Sequence, residues 1–264
     1  MKVSDTRKLA TKVPGAMAAL PGAKQVIRLG NRADYALRWA QSYTAVYGPE
    51  WAFKHGKNLV MGGYFIGGFC WFMSGIYTEN LGRTCSGGIG MGGALLPLVF
   101  GKGEDAVPTP ASEELDAMKV SEYVGLRLRQ SVSASGNMTQ KAALGQCAEA
   151  AFLVAAAVQS GRVGDTLGAV CMGGGGALLM FLRNDARAWD VMARTYLSVF
   201  PAMNVGHAVE AWTKEEDPFI ACSVLPYLAA ETAGVMLAGN PHREEILTGN
   251  RPTSVTVSEH ETRA

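Results

Sequence analysis

Charged side chains are scarce in this sequence. Lys, Arg, Asp and Glu make up 18% of its 264 residues, against about a quarter in an ordinary globular domain. With an apolar share of 48%, this excludes an intrinsically disordered chain. The net charge is +1, which excludes a strongly basic nucleic-acid binder, so no nucleic-acid partner is expected. Paired cysteines are also missing. Cys70, Cys85, Cys147, Cys171 and Cys222 are odd in number, widely spaced and without a CxxC, so buried reduced thiols are expected rather than a disulfide framework. No apolar stretch follows the basic N-terminus closely enough for a secretory signal, and none is expected. Alternation of period two is not sustained over a strand's length, which argues against a β architecture.

Recognisable catalytic patterns are equally sparse. Gly88-Ile89-Gly90-Met91-Gly92-Gly93 matches GxGxxG, but a dinucleotide site needs a strand before it and a helix after it. Here ENLGRTCS precedes it, Pro97 follows closely, and Glu113 lies beyond two prolines. None of His55, His207, His242 and His260 has a partner at metal-ligand spacing. His207 and Glu210 could share a helix face, but carboxylate metal sites place the acid first and need further carboxylates. No GxSxG elbow or GxxxxGK[ST] loop occurs. The turn from Gln159 to Asp165 offers no usable catalytic group, and Glu215, Glu216 and Asp217 read as a solvated helix end. No catalytic residue, cofactor or metal is therefore expected. Whether the chain is an enzyme stays open, and any small-molecule ligand is unidentified.

What the sequence has in quantity is glycine, 32 residues, and an uneven placement of its few charges. Residues 1–57 hold ten basic and three acidic side chains, so a +7 arm precedes a −6 remainder. Beyond Lys57 the charges stop. Residues 58–78 and 84–101 are uncharged, separated by a polar break at Glu79 and Arg83. About twenty apolar residues suffice to cross a bilayer as a helix, and two such runs form a helical hairpin entering a membrane. The positive-inside rule puts the basic arm in the cytoplasm. Pairs of small residues four apart, Gly63 with Gly67 and Gly88 with Gly92, let helix backbones approach closely. The run Gly173–Gly176 either breaks its helix or takes a neighbour directly onto the backbone.

Just before the hairpin, Tyr35, Trp39, Tyr43 and Tyr47 recur at spacing four on a helix over 31–47. With Arg32 and Arg38 beside it, the stripe fits a helix lying at a membrane interface. Pro108 and Pro110 mark an acidic linker. Ser112 starts a helix running to about Arg129, and alanine fills a helix over 139–160. Further apolar segments cover 166–182 and 218–239, with an amphipathic helix at 186–200 between them. Residues 240–264 are expected to extend along the surface.

The expected fold is mainly α, a helical bundle with a glycine-rich apolar hairpin. Its parts are a basic arm at 1–57, the hairpin at 58–101, a linker at 102–118 and a helical domain with a polar tail at 119–264. The favoured function is a non-enzymatic structural component of a multi-subunit assembly in an inner or plasma membrane, as in secretion or conjugation machinery. Its partners would be membrane lipid, copies of itself or other subunits. The first alternative is a soluble, cytoplasmic, oligomeric helical enzyme or binding protein with a pocket near Gly173–Gly176 and His207. The second is a shell or particle protein whose apolar runs are subunit interfaces.

Overall fold

The protein is a mainly α helical bundle. Its structure, a computed structural model, describes residues 22–99, 107, 110–133, 138–182, 184–214 and 217–257. In chain order the helices are α1 (Ala23–Tyr47), α2 (Glu50–Tyr77), α3 (Leu81–Val99), α4 (Ser112–Ala117), α5 (Val120–Ser133), α6 (Met138–Ser160), α7 (Val163–Leu182), α8 (Ala186–Arg194), α9 (Phe200–Lys214), α10 (Pro218–Ala233) and α11 (Arg243–Leu247). Thr195–Val199 and Gly234–Ala238 are single π turns. No strand occurs among the described residues.

Local chemistry sets several boundaries. Pro49 disfavours helix at the residue before it. Gly48 is accordingly extended, and α1 stops there. Three hairpin turns then start the inward-packed helices. Asn80 caps α3 by accepting from the Arg83 amide at 3.0 Å. Asp217 caps α10 by accepting from the Phe219 and Ile220 amides, with Pro218 at the first helical position, where its missing N–H costs nothing. The Ser160 hydroxyl accepts from the Arg162 amide just before α7.

Six helices form a closed circuit. α2 packs on α3, α3 on α6, α6 on α7, α7 on α9, α9 on α10, and α10 back on α2. Helices α1, α5, α8 and α11 build a head at one end of the circuit. There Gln41 donates to the Val235 carbonyl at 3.0 Å, buried Asn240 donates to that of Gln41 at 2.9 Å, and Ala45, Phe53 and Ile246 form a small apolar core. The three hairpin turns gather at the opposite end.

The side-chain distribution of the circuit is reversed relative to a water-soluble domain. On α2 the buried side is mostly Gly63, Gly67, Gly68, Ser74 and Gly75 with Trp71, while Phe65, Ile66, Phe69 and Ile76 face outward. On α7 the buried residues include Asp165, Gly168 and Gly176, while Leu167, Val170 and Phe181 face outward. Val158 is 82% exposed, Phe181 78% and Leu225 75%. Four segments, Glu50–Tyr77, Ala143–Ser160, Val163–Leu182 and Pro218–Ala238, are long and apolar enough to cross a membrane, with mean hydropathies between 1.2 and 1.5.

Several expectations change in detail. The hairpin helices begin at Glu50 and Leu81 and turn at Thr78–Asn80. The helix expected from Ser112 to Arg129 is two helices, interrupted where Met118 is extended. The glycine run does not break its helix: α7 is continuous through Gly173–Gly176. Residues 240–247 do not simply extend along the surface: they form a turn and the short helix α11, with Glu244 and Glu245 exposed. Asn240 and Ile246 are buried, because they close the gap between α1, α2 and the end of α10. Cys222 is exposed and the other four thiols are half-buried, all unpaired.

Candidate functional site

The end of the circuit opposite the head is tied together by one cation. Arg83, two residues into α3, is 1% exposed. Its Nη2 donates to Asp165 Oδ2 at 2.6 Å and its Nε to Asp165 Oδ1 at 3.3 Å. Its Nη1 reaches Asp217 Oδ2 at 3.3 Å. The planar guanidinium suits this forked arrangement, which a lysine ammonium cannot reproduce. Ser74 at the end of α2 donates to Asp217 Oδ2 at 2.6 Å, and Ser160 at the end of α6 donates to Asp165 Oδ2 at 2.5 Å. One Arg and two Asp leave a formal charge of −1. The first turns of α7 and α10 lie at the two carboxylates, where helix dipoles favour negative charge.

This network joins all three hairpins. Truncating Ser74 to Ala removes a hydrogen bond to an ionised group and should cost about 1.5–3 kcal/mol. A lowered midpoint of thermal unfolding checks it, and an unchanged midpoint would show Asp217 is held without Ser74.

His207 on α9 abuts the same layer. Its ring lies edge-on to Trp71 with centroids 5.1 Å apart, and the Arg83 guanidinium carbon is 6.0 Å from the Trp71 ring centre. Neither ring nitrogen makes a well-formed hydrogen bond, although the Gly164 backbone sits directly against the imidazole. A groove between α7 and α9, lined by Val163, Leu167, Ala202, Gly206, His207 and Glu210, opens outward from here.

A second polar layer occupies the middle of the circuit. Glu149 of α6 accepts from Ser86 of α3 at 3.4 Å. Glu231 of α10 accepts from Asn204 of α9 at 3.3 Å. Gln146 donates to the Tyr196 hydroxyl at 3.1 Å. The rings of Tyr64 and Tyr227 pack with centroids 5.9 Å apart. Tyr196 and Tyr227 lie within electrostatic reach of both glutamates.

The glycines singled out from the sequence fall into two groups. A β-carbon on Gly63 would lie 2.5 Å from the Pro226 carbonyl oxygen, and one on Gly67 2.7 Å from the Tyr227 ring, so both sit where α2 meets α10. One on Gly176 would lie 2.6 Å from Cys147 Sγ, and one on Gly173 3.4 Å from Ala150 Cβ, both against α6. Gly88 and Gly92 differ. Gly88 has only Phe72 Cδ2 at 4.0 Å, and Gly92 has nothing within 4 Å. Gly173–Gly176 and His207 do not share a pocket. His207 faces Gly164, nine residues and about 13.5 Å along α7 from Gly173. The aromatic stripe lies on the head: Trp39, Tyr43 and Tyr47 are exposed, with Trp39 stacked on Tyr43 at 5.3 Å and Tyr47 tilted against Tyr43 at 4.7 Å, while Tyr35 is half-buried.

Sequence reasoning missed the polar layers. Arg83 reads there as part of a polar break, Asp165 as part of a turn and Asp217 as a solvated end, and Glu149 is lost among alanines. The available signal was positional. Arg83 and Asp165 each fall within three residues of a helix start, and Asp217 directly precedes one. No protein-family model, no curated protein and no solved structure matches the chain.

Proposed function

We propose that the protein is a polytopic membrane protein that serves as a structural subunit of a larger assembly in an inner or plasma membrane. The observation that carries this reading is the reversed packing of the circuit. Glycines, Arg83, Asp165 and Asp217 face inward and the large aliphatic and aromatic residues face outward. In water that surface would be a severe liability. In lipid it is the expected one, because helices then associate through small residues and internal hydrogen bonds.

Aromatic residues support the placement. Trp51 and Tyr77 are exposed at the two ends of α2. Their 26-residue separation spans about 39 Å of helix, matching aromatic belts at the two headgroup levels. Of the basic arm, Arg28, Arg32, Arg38, Lys54 and Lys57 lie on α1 and the first turns of α2, at the head end, so the positive-inside rule favours a cytoplasmic head.

The subunit role draws on the glycines the chain does not use itself. Gly92 and Gly93 on α3 and Gly174 on α7 are exposed, with nothing within 4 Å of where a β-carbon would stand. Such small outward residues admit a neighbouring helix at close range. Two measurements test the proposal. The protein should stay in the membrane pellet through a carbonate wash. Gly92→Leu should hold or raise the unfolding midpoint of the purified chain while reducing the particle mass in mild detergent. Recovery in the detergent-free supernatant would end the membrane reading, and an unchanged mass would remove Gly92 from the contact.

A further inference from the structure

The middle of the circuit poses a problem of charge balance. Glu149 lies eleven residues before the end of α6, about 17 Å from the turn end, and Glu231 thirteen residues into α10, about 20 Å from it. On the membrane reading, both carboxyls therefore sit near the centre of a hydrocarbon layer about 30 Å thick. No Lys or Arg occurs in 58–82, 84–101, 142–161, 163–182, 195–213 or 217–242. The buried guanidinium of Arg83 is committed to Asp165 and Asp217 at the turn end, and Arg162, also buried, lies in the turn before α7 at that same end. Neither glutamate has an ion-pair partner among the described residues.

The groups that face them are neutral hydroxyls and amides. Glu149 has Ser86 from α3, and Glu231 has Asn204 from α9. Tyr64 approaches from α2, Tyr227 from α10 and Tyr196 from the π turn before α9. The titratable thiols nearby are Cys70 on α2, close to Tyr227, and Cys171 on α7, close to Tyr196. Two oxygens in this layer, Glu231 Oε2 and Gln146 Oε1, are fully buried and make no hydrogen bond. An isolated carboxylate in such surroundings is prohibitively costly. The layer has open acceptor oxygens and lacks the positive charge to match them.

We propose that Glu149 and Glu231 each bind a monovalent cation, a proton or an alkali ion, and that this layer is an intramembrane cation site. The inference rests on the membrane placement above. The neutral hydroxyls and amides around the carboxyls complete the occupant's contacts, and Tyr196 and Tyr227 connect the two positions.

The test is labelling of the full-length protein, purified in detergent, with dicyclohexylcarbodiimide, which attacks protonated carboxyls in apolar surroundings. Adducts are mapped by mass spectrometry between about pH 6 and about pH 9, a range that covers strongly perturbed buried carboxyls. The expected result is labelling at Glu149 and Glu231 that falls at least about tenfold across that range. Suppression by sodium or potassium chloride, but not by choline chloride, identifies an alkali ion as the competing occupant. Insensitivity to all three salts identifies the proton. Glu149→Gln and Glu231→Gln, nearly isosteric, should each lose only their own adduct and remain monodisperse. Absence of both adducts at every pH, or labelling indifferent to pH and to salt, overturns the proposal. Failure of the membrane placement would show separately, in the carbonate wash.

Discussion

Arg83→Met is expected to lower the stability of the folded protein by about 3–5 kcal/mol, the usual consequence of removing one partner of a buried ion pair. The size follows from what remains. Asp165 and Asp217 are 0% and 1% exposed, and Arg83 is the cation both carboxylates contact. Without it, two negative charges stay buried and lose the guanidinium that both contact. The midpoint of thermal unfolding in detergent should drop by roughly 10 °C. Arg83→Lys should recover only part of the loss, because a single ammonium cannot bond Asp165 through two nitrogens and still reach Asp217. Adding Asp165→Asn to Arg83→Met should restore some stability by removing one uncompensated charge, a coupling expected between residues in contact. A midpoint for Arg83→Met equal to that of the unaltered protein would mean that the network does not hold the three hairpins together.

The second large effect is expected from Gly87→Val. A β-carbon at Gly87 would run into the Phe72 amide nitrogen and stand 2.7 Å from the Gly68 carbonyl oxygen. The obstacle is backbone on α2, which cannot rotate away as a side chain can. Gly75 meets the backbone of Thr84 in the same way from the other helix. Overpacking costs about 1–3 kcal/mol where neighbours can adjust, and valine here should reach at least the upper end. Helices α2 and α3 must separate, carrying Arg83 away from its carboxylates. Gly93→Ala is the matched control. Nothing lies within 4 Å of its β-carbon position, and alanine is the better helix former by up to about 1 kcal/mol. Unfolding midpoints should therefore fall for Gly87→Val and hold or rise for Gly93→Ala. Equal midpoints for the two would contradict the close α2–α3 crossing.

The hairpin was legible in the sequence because the length of an uncharged run and the spacing of small residues are local properties. The unbroken α7 was readable only as an alternative, since what rescues Gly176 is Cys147 packing against it from α6. Arg83, Asp165 and Asp217 were beyond reach for the same reason. They are separated by 82 and 134 positions along the chain, and each one alone resembles an ordinary polar residue at a helix end. Glu149 and Glu231 stand out only once the circuit brings both, half-buried, into its middle layer. Only the start of the tail departs from the expected surface course, because polarity suggests exposure whereas Asn240 is polar and buried through its bond to the Gln41 carbonyl. The break between α4 and α5 has a similar origin. Asp34 of α1 accepts from the Val120 amide at 2.7 Å and so caps α5 from outside its own segment.

On the proposed membrane placement, the outward apolar residues of the circuit meet lipid. Photolabelling of native membranes with a lipid-soluble carbene precursor tests it most directly. Adducts should appear on Val154 and Val158 of α6, Val170 and Phe181 of α7 and Leu225 of α10, all exposed. Ala156, Ala169, Leu179 and Ala230 lie on the same three helices but are buried, and they should remain unlabelled. Adducts on the buried set at comparable yield, or none on the outward set, would contradict the account.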